Sequence, residues 1–160
     1  MRLSLFAVGR LKAGPEQELA SRYLDRFAKA GPSVGLELAR VIEVPESRAQ
    51  ASPQRKREEA RELEKVRPAQ AALVLFDEHG QALGSEAFSE LLARLRDEGR
   101  RDALLAIGGA DGLDPELHQT ADAVVSFGRM TWPHQMARIM LAEQLYRCVT
   151  ILSGHPYHRS

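Results

Sequence analysis

Residues 102–113 read "DALLAIGGADGL", an apolar run that ends in three glycines, Gly108, Gly109 and Gly112. Near-continuous apolar character is typical of a central strand in a parallel sheet, which is buried on both faces. Glycine at a strand end permits positive φ and close approach of the main chain, both of which a loop around a ligand needs. An ordinary turn uses the same residues, so this stretch predicts a strand and leaves the role of its loop open.

On either side of this strand, strand-like and helix-like runs alternate along the whole chain. Such alternation predicts an α/β fold with a mostly parallel sheet and helices on both faces. The length of 160 residues suits one domain covering residues 1–160. The predicted strands are residues 2–9, 36–44, 71–76, 102–109 and 122–127, and the predicted helices are residues 14–32, 52–67, 85–99, a short one after Asp114 and Pro115, and about 134–152.

Several of these elements carry finer expectations. In residues 36–44 the period-two pattern predicts one buried face, and Ser85 is the expected N-cap of its helix. Residues 52–67 are mostly charged with both signs mixed, which predicts a solvated helix rather than an RNA-binding arm. The residues expected on the buried face of the strand are Leu36, Leu38, Ile42 and Val44.

The long helix at residues 134–152 is apolar on two sides, so it must be covered on two sides. One stripe suits the sheet, and the other suits either the rest of the chain or a second subunit. We expect a homodimer built on this helix. The first stripe comprises Leu141, Leu145, Cys148, Val149 and Leu152, and the second comprises Met136, Ile139, Met140 and Ile151.

Composition narrows the classes of function. The net charge is zero, but residues 126–160 hold four arginines against one acid, Glu143, and this local positive charge suits an anionic partner. The one cysteine, Cys148, lies in an apolar helical run and is expected to be a buried spacer. No metal-ligand spacing, secretory signal or membrane span is recognisable, which predicts a cytoplasmic protein without a metal.

Ligands of open α/β sheets bind beyond the carboxyl ends of the strands. The first strand end lacks the GxGxxG pattern, and neither a Walker motif nor GxSxG occurs, which disfavours dinucleotide, nucleotide and serine-hydrolase sites. Asp77 and Glu78 follow a strand and are possible acids, but their position favours a solvated turn. The glycine loop and the stretch after the last strand therefore hold the candidate site.

Three C-terminal motifs carry a resemblance that covers the whole chain. "IGGADGL", "FGRMTWPHQMARIMLAEQLYR" and the terminal "HPYHR", in this order and spacing, resemble the small SPOUT-class methyltransferases that modify a pseudouridine of large-subunit (23S) ribosomal RNA at N3. The opening "LFAVGRLK" is also similar. The resemblance implies a C-terminal trefoil knot, a homodimer, and S-adenosylmethionine (SAM) bound in the knot, largely by main-chain groups. The SAM pocket so implied comprises Phe76, Gly109, Gly128, Arg129, Met130, Thr131, Trp132 and Pro133.

Methyl transfer from SAM asks little of the protein, because the cofactor already carries an activated methyl group. The enzyme must align N3 of the base with that methyl group and remove the imide proton. We expect His155, Tyr157 and His158 to orient the base or accept the proton, in cis or across a dimer. Arg138, Arg147 and Arg159 are the expected contacts to RNA phosphates.

Two other functions remain open on the sequence alone. One is a non-catalytic ribosome-binding or assembly factor that keeps the fold, and the other is a flavodoxin-like or nucleotide-binding enzyme. Equilibrium SAM binding without turnover would support the first, and copurified flavin or nucleotide the second. The zero net charge favours an assembled ribosomal surface over free RNA as the substrate.

Overall fold

The computed structural model describes residues 1–158, in which five strands and five α-helices alternate. The strands are β1 (Arg2–Val8), β2 (Glu37–Val44), β3 (Ala72–Ala82), β4 (Asp102–Ile107) and β5 (Ala123–Ser126). The helices are α1 (Pro15–Ala30), α2 (Ser52–Val66), α3 (Ser85–Asp97), α4 (Pro115–Thr120) and α5 (His134–Leu152), and a 3-10 helix covers Gly31–Val34.

All strand pairings in the sheet are parallel, and the strand order is β2-β1-β4-β3-β5. The core has one part on each face: α1, α3 and α5 cover one face, and α2 and α4 cover the other. The predicted α/β fold with helices on both faces is confirmed. The trefoil knot stays a prediction, because strand order and pairing do not by themselves define one.

The central strand β4 is buried as its apolar run predicts, with Leu104 and Leu105 fully inaccessible. Its two neighbours are β1 and β3, so the carboxyl ends of these three strands lie side by side. At the far edge, β5 pairs with β3 on both sides of a bulge at residues 77–80. The loops after β3, β4 and β5 therefore meet at one edge of the sheet.

The prediction of one buried face for β2 is wrong. The pairing with β1 shifts register between Leu3 and Ser4, opposite Ala39, and one extra residue in β2 turns the following side chains to the other face. Leu38 accordingly packs with the core under α1 and α3, whereas Ile42 packs with the core under α2.

The expected N-cap of α3 is also wrong by one residue. The helix begins at Ser85 itself, and Gly84 takes the N-cap position. Because Ser85 does not cap the helix, its hydroxyl makes a longer-range contact and donates to the side-chain oxygen of Gln144 at 2.8 Å. That bond links the start of α3 to the middle of α5.

Helix α5 has the predicted bounds, and its first apolar stripe packs against the sheet. On the second side, Ile139 is buried against Ala20 of α1, so part of this side is covered within the chain. Met136 is 40% exposed, and Met140 is only partly buried. The uncovered part of α5 is thus narrower than its sequence pattern predicts.

Candidate active site at the carboxyl edge of the sheet

The loop after β4, residues 108–114, is closed on itself by glycine. The amide of Gly112 donates to the carbonyl of Gly109 at 3.0 Å, and Gly112 has a φ of +82°. A Cβ on Gly108 would lie 2.9 Å from the carbonyl carbon of Gly112. Such close backbone approach excludes side chains at these positions, so the glycines fix the shape of the loop.

Gly109 is required for a different reason from the one the resemblance implies. Its Cβ would meet Val8 at 3.0 Å and the carboxylate of Glu59 at 3.1 Å. The missing side chain thus makes room for β1 and α2 inside the protein. A larger residue at this position would act on a ligand by displacing the loop.

Helix α2 is more than a solvated helix, because it holds the glycine loop from one side. Arg55 donates two hydrogen bonds to Asp111, at 2.6 and 2.9 Å, and these bonds lower the pKa of Asp111 to about 2. Glu59 is buried beside Gly109, and this burial raises the pKa of its carboxyl group above the ordinary value. The carboxylate accepts one hydrogen bond, from the amide of Ser47 at 3.0 Å.

The loop after β5 approaches the end of the buried part of β3 through two aromatic rings. Phe127 stacks on Phe76, with ring centroids 5.0 Å apart and planes 19° apart. Two hydrogen bonds join Ser126 to the residue two positions later: its hydroxyl donates to the carbonyl of Gly128 at 2.9 Å and accepts from the amide of Gly128. Gly128 has a φ of +109°, and nothing lies within 4 Å of where its Cβ would be. The loop at Gly128 thus lies near buried Phe76 through Phe127, and the space beside Gly128 itself is open.

The remaining residues of this loop project outward. Arg129, Met130, Thr131, Trp132 and Pro133 are all exposed. Met130 is 70% exposed and Trp132 is 39% exposed, which is unusual for large apolar side chains.

Asp77 is the carboxylate nearest to the glycine loop on the β3 side, and it is not part of a solvated turn. Its side chain is 7% exposed, and it lies 3.7 Å from where a Cβ on Gly112 would be. His79 donates to it from the amide at 2.9 Å and from Nδ1 at 3.0 Å. Burial alone would raise the pKa of Asp77, but these hydrogen bonds outweigh it, so the pKa lies below the ordinary value.

The first turn of α5 joins the candidate site to the ends of the other strands. His134 Nδ1 lies 3.1 Å from the carbonyl oxygen of Gly108. One turn later, Arg138 donates to the carbonyl of Gly9 at 3.1 Å and forms an ion pair with Glu43. Arg138 is 8% exposed. Its burial and its existing partners disfavour the phosphate contact expected from the sequence.

The C-terminal segment folds back onto α5. The Tyr157 hydroxyl donates to Glu143 at 3.1 Å, and its ring packs on Tyr146 with centroids 5.0 Å apart. Arg147, expected to contact RNA, pairs with Glu143 at 2.5 Å and lies over the ring of Tyr157. Burial raises the pKa of Tyr157 above the ordinary value, and hydrogen bonding with Tyr23 and Glu143 raises it further.

The two histidines of this segment lie on either side of Tyr157. His155 Nδ1 accepts from the amide of Tyr157 at 3.2 Å, and His158 Nε2 lies 3.4 Å from a carboxylate oxygen of Glu86, at the start of α3. His155, Tyr157 and His158 thus lie together, as expected, against α5. The expected phosphate contact Arg159 lies outside the described residues.

Comparison with known proteins decides the family. A family model described as "Predicted SPOUT methyltransferase" matches residues 1–158. The chain belongs to this family. A protein of Rhizobium meliloti (strain 1021) named "Ribosomal RNA large subunit methyltransferase H" is 69% identical over 160 residues, which is 100% of both chains. A protein of the same name from Brucella anthropi is 60% identical, again over 100% of both chains.

Among solved structures, the chain is similar to a probable methylase family protein from Haemophilus influenzae Rd KW20. The TM-score is 0.50 at 12% identity, over 99% of this chain and 70% of that one. At this identity the likeness supports the fold alone. The resemblance read from the C-terminal motifs is thus confirmed at the level of the SPOUT methyltransferase family.

Other features bear on the remaining expectations. Within residues 1–158, no three His, Cys, Asp or Glu side chains are grouped as metal ligands. In the same part of the chain, no helix is both long and apolar enough to cross a membrane. Cys148 is buried, which raises the pKa of its thiol to about 11, and this agrees with a spacer.

The residues that hold the loops in place, chiefly Gly9, Arg55, Glu59 and His134, were not predicted from the sequence. Their partners are far away in the chain, such as Asp111 for Arg55 and Gly108 for His134. A glycine directly after β1 and a histidine at the first position of α5 were the signals present. Neither is specific without the strand order.

Proposed function

We propose that the chain is a SAM-dependent methyltransferase that methylates N3 of a pseudouridine in 23S ribosomal RNA, on the assembled ribosome. The observation that carries the proposal is the meeting of the glycine loop, Phe76 and the open loop at Gly128 in a SPOUT family member. The name shared by the similar proteins supports ribosomal RNA as the substrate. Ribosomes lie in the cytoplasm, so we propose that location too.

The residues at this edge fit SAM in one testable respect. Nothing lies within 4 Å of where a Cβ on Gly128 would be, so a ligand can approach the main chain there, as a pocket that binds through main-chain groups requires. A cavity of about 210 Å³ elsewhere in the molecule is lined by β1, α1 and α5 and includes none of these loop residues. The residues proposed to hold SAM are Phe76, Gly109, Gly128, Arg129, Met130, Thr131, Trp132 and Pro133.

When bound, SAM supplies an activated methyl group on sulfur. The protein must then align the target nitrogen and accept or release its proton. Tyrosine is protonated at neutral pH, and the raised pKa of Tyr157 keeps its hydroxyl a donor well beyond that range. We propose that Tyr157 orients the base by redirecting its one hydroxyl proton from Glu143 to a carbonyl group of the base. His155 and His158 remain the candidates to accept the imide proton.

RNA contacts are proposed for Arg147 and Arg159, and Arg138 is left out because it is buried. Arg147 is paired with Glu143, so it would have to share its guanidinium between that carboxylate and a phosphate. Exposed Arg129 adds a further positive charge beside the proposed pocket. Because the net charge of the chain is zero, these few contacts favour a preformed ribosomal surface over free RNA.

A homodimer through residues 134–152 is proposed on the exposed apolar side chains at the start of α5. Met130, Trp132 and Met136 are 70%, 39% and 40% exposed, and they lie next to one another in sequence on one loop and helix turn. A partner subunit would bury them and exclude water from the pocket. Light scattering after M136E, compared with the wild-type protein, tests the interface, with a monomer as the expected product.

The function is tested by methyl transfer from tritiated SAM to whole ribosomes, isolated large subunits and protein-free 23S RNA. We expect label in an assembled particle and little in free RNA, mapped to N3 of a pseudouridine. Equal labelling of free RNA would contradict the preference for the ribosome. SAM binding without transfer to any of the three would instead support the non-catalytic assembly factor.

The pocket is tested by Gly109→Val, because a β-branched side chain must push the loop away from Val8 and Glu59. We expect weaker SAM binding in isothermal titration. Gly99→Ala is the matched control: it also strains the backbone, since Gly99 has a φ of +85°, but it lies at the opposite edge of the sheet, before β4. Unchanged SAM affinity in the Gly109 variant would misplace the pocket.

A further inference from the structure

His134 makes a contact that neither the family nor the proposed catalytic residues explain. It is the first residue of α5, and its Nδ1 lies 3.1 Å from the carbonyl oxygen of Gly108. The carbonyl can only accept, so Nδ1 carries the proton and donates. This single bond joins the loop after β4 to the point where the loop after β5 becomes α5.

The neighbouring residues restrict the orientation of the imidazole ring. Nε2 is buried and has no hydrogen-bond partner among the described residues. A Cβ on Gly9 would lie 3.3 Å from Nε2, and the φ of Gly9 is +84°. Arg138, one turn further along the same side of α5, holds the Gly9 carbonyl at 3.1 Å. The end of β1 thus forms a wall behind the ring and directs Nδ1 at Gly108.

The charge state of the ring is consistent with this role. Burial lowers the pKa of His134 below the ordinary value, and the charge of Arg138 lowers it further. Glu43 and Glu46 and the Gly108 bond act in the opposite direction but do not reverse the shift. The neutral tautomer with hydrogen on Nδ1 therefore persists at neutral pH, and the bond to Gly108 with it.

We propose that His134 is a positioning residue for methyl transfer, whose Nδ1–H bond to Gly108 sets the distance between the two loops of the cofactor pocket. The inference rests on the proposed function, because it assigns both loops to that pocket. A loop displaced by about 1 Å misaligns the reacting atoms, which costs rate as well as affinity. A residue that merely packed the start of α5 would affect stability alone.

The test compares His134→Asn with His134→Leu. The two side chains have nearly the same shape, but the amide nitrogen of asparagine takes the place of Nδ1 and keeps the donor, whereas leucine has none. For the leucine variant we expect SAM affinity to fall about fivefold, as the loss of one hydrogen bond implies. The kcat at saturating SAM and ribosomes should fall on the order of tenfold. The asparagine variant should recover both to within about twofold of wild type.

Thermal melting shows whether each variant is folded, and rates are taken per folded enzyme. Equal losses in both variants would overturn the assignment of the hydrogen bond, and a leucine variant with wild-type affinity and kcat would overturn the positioning role. The Gly109→Val variant distinguishes a failure of this inference from a failure of the proposed function. If that variant loses SAM while the leucine variant does not, the inference fails and the pocket stands; if wild-type enzyme binds no SAM, the proposed function fails.

Discussion

Replacing Arg138 with methionine tests whether this residue supports the fold rather than RNA. The guanidinium forms an ion pair with Glu43 and donates to the carbonyl of Gly9 at 3.1 Å. Methionine keeps most of the apolar stem and its contacts with the core, but it removes every donor. The variant therefore leaves the carbonyl of Gly9, after β1, without its partner, and leaves the carboxylate of Glu43, in β2, with the amide of Leu11 as its remaining donor.

The size of the effect follows from burial. The side chain of Arg138 is 8% exposed, and that of Glu43 is 29% exposed. Breaking a fully buried pair by removing one partner costs about 3–5 kcal/mol. Water reaches Glu43 in part, which favours the lower end, so we expect Arg138→Met to lower the free energy of unfolding by about 3 kcal/mol.

Urea unfolding at neutral pH measures this loss, provided the m-value is unchanged. Arg2→Met is the matched control, because Arg2 also pairs with a carboxylate, that of Asp102, but is 61% exposed; its stability should stay close to wild type. Adding Glu43→Leu to the Arg138 variant should restore part of the stability by removing the unpaired charge. An Arg138 variant as stable as the control, yet inactive on ribosomes, would refute this reasoning and return Arg138 to the RNA contacts.

Two further predictions concern the contacts of α2 with the glycine loop, and both are read from stability against pH. Glu59 has a raised pKa in the folded state, so ionisation of its carboxyl group destabilises the protein as pH rises through that value. Glu59→Gln should therefore raise the free energy of unfolding at pH 7 and keep the bond from Ser47. In acid, where Glu59 is protonated, the variant should lose this advantage. Asp111 has a pKa lowered from 3.8 to about 2 by Arg55, so its contribution is present above about pH 4 and lost toward pH 2; Asp111→Asn should flatten this acid limb of the unfolding curve, and an unchanged limb would contradict the ion pair's role.

Short-range patterns explain which parts of the fold could be predicted. The apolar run of residues 102–109 and the helix from His134 to Leu152 are local signals. The helix has the expected bounds, and the strand ends at Ile107, two residues before its predicted end. The face change in β2 could not be predicted, because an extra residue at a bulge does not change the order of apolar and polar residues in the sequence. The bulge nevertheless turns the later side chains to the other face. Its cause lies in the pairing with β1 and not in β2 itself.

The candidate site also has one part that local sequence patterns predict and another part that they do not. Glycines and strand ends indicated the edge at which a ligand is proposed to bind, because every parallel strand brings its loop to one edge. The contacts that hold those loops join residues far apart in sequence, 56 residues for Arg55 with Asp111 and 129 for Arg138 with Gly9. A charged helix looks solvated in sequence whether or not it carries one such bond, so only the fold reveals the partner.

The C-terminal segment yields the last prediction, in which deletion of residues 155–160 abolishes methyl transfer but leaves the protein folded. In the described part of this segment, Tyr157 contributes a ring contact with Tyr146, a hydrogen bond to Glu143 and a cation–π contact with Arg147. Each is worth about 1 kcal/mol, so the truncated protein should lose about 3 kcal/mol of stability and remain folded.

The loops proposed to bind SAM are untouched by the deletion, so SAM affinity should fall only modestly, whereas the groups proposed to orient the base are gone. Tyr157→Phe refines the prediction, since it keeps the ring on Tyr146 and removes only the hydroxyl. Its free energy of unfolding should fall by about 1 kcal/mol. If the hydroxyl donates to the base, the variant should in addition lose most of its turnover. Ribosomes methylated by the truncated enzyme at the full-length rate would show that the segment only packs on α5, and that the base is oriented from elsewhere.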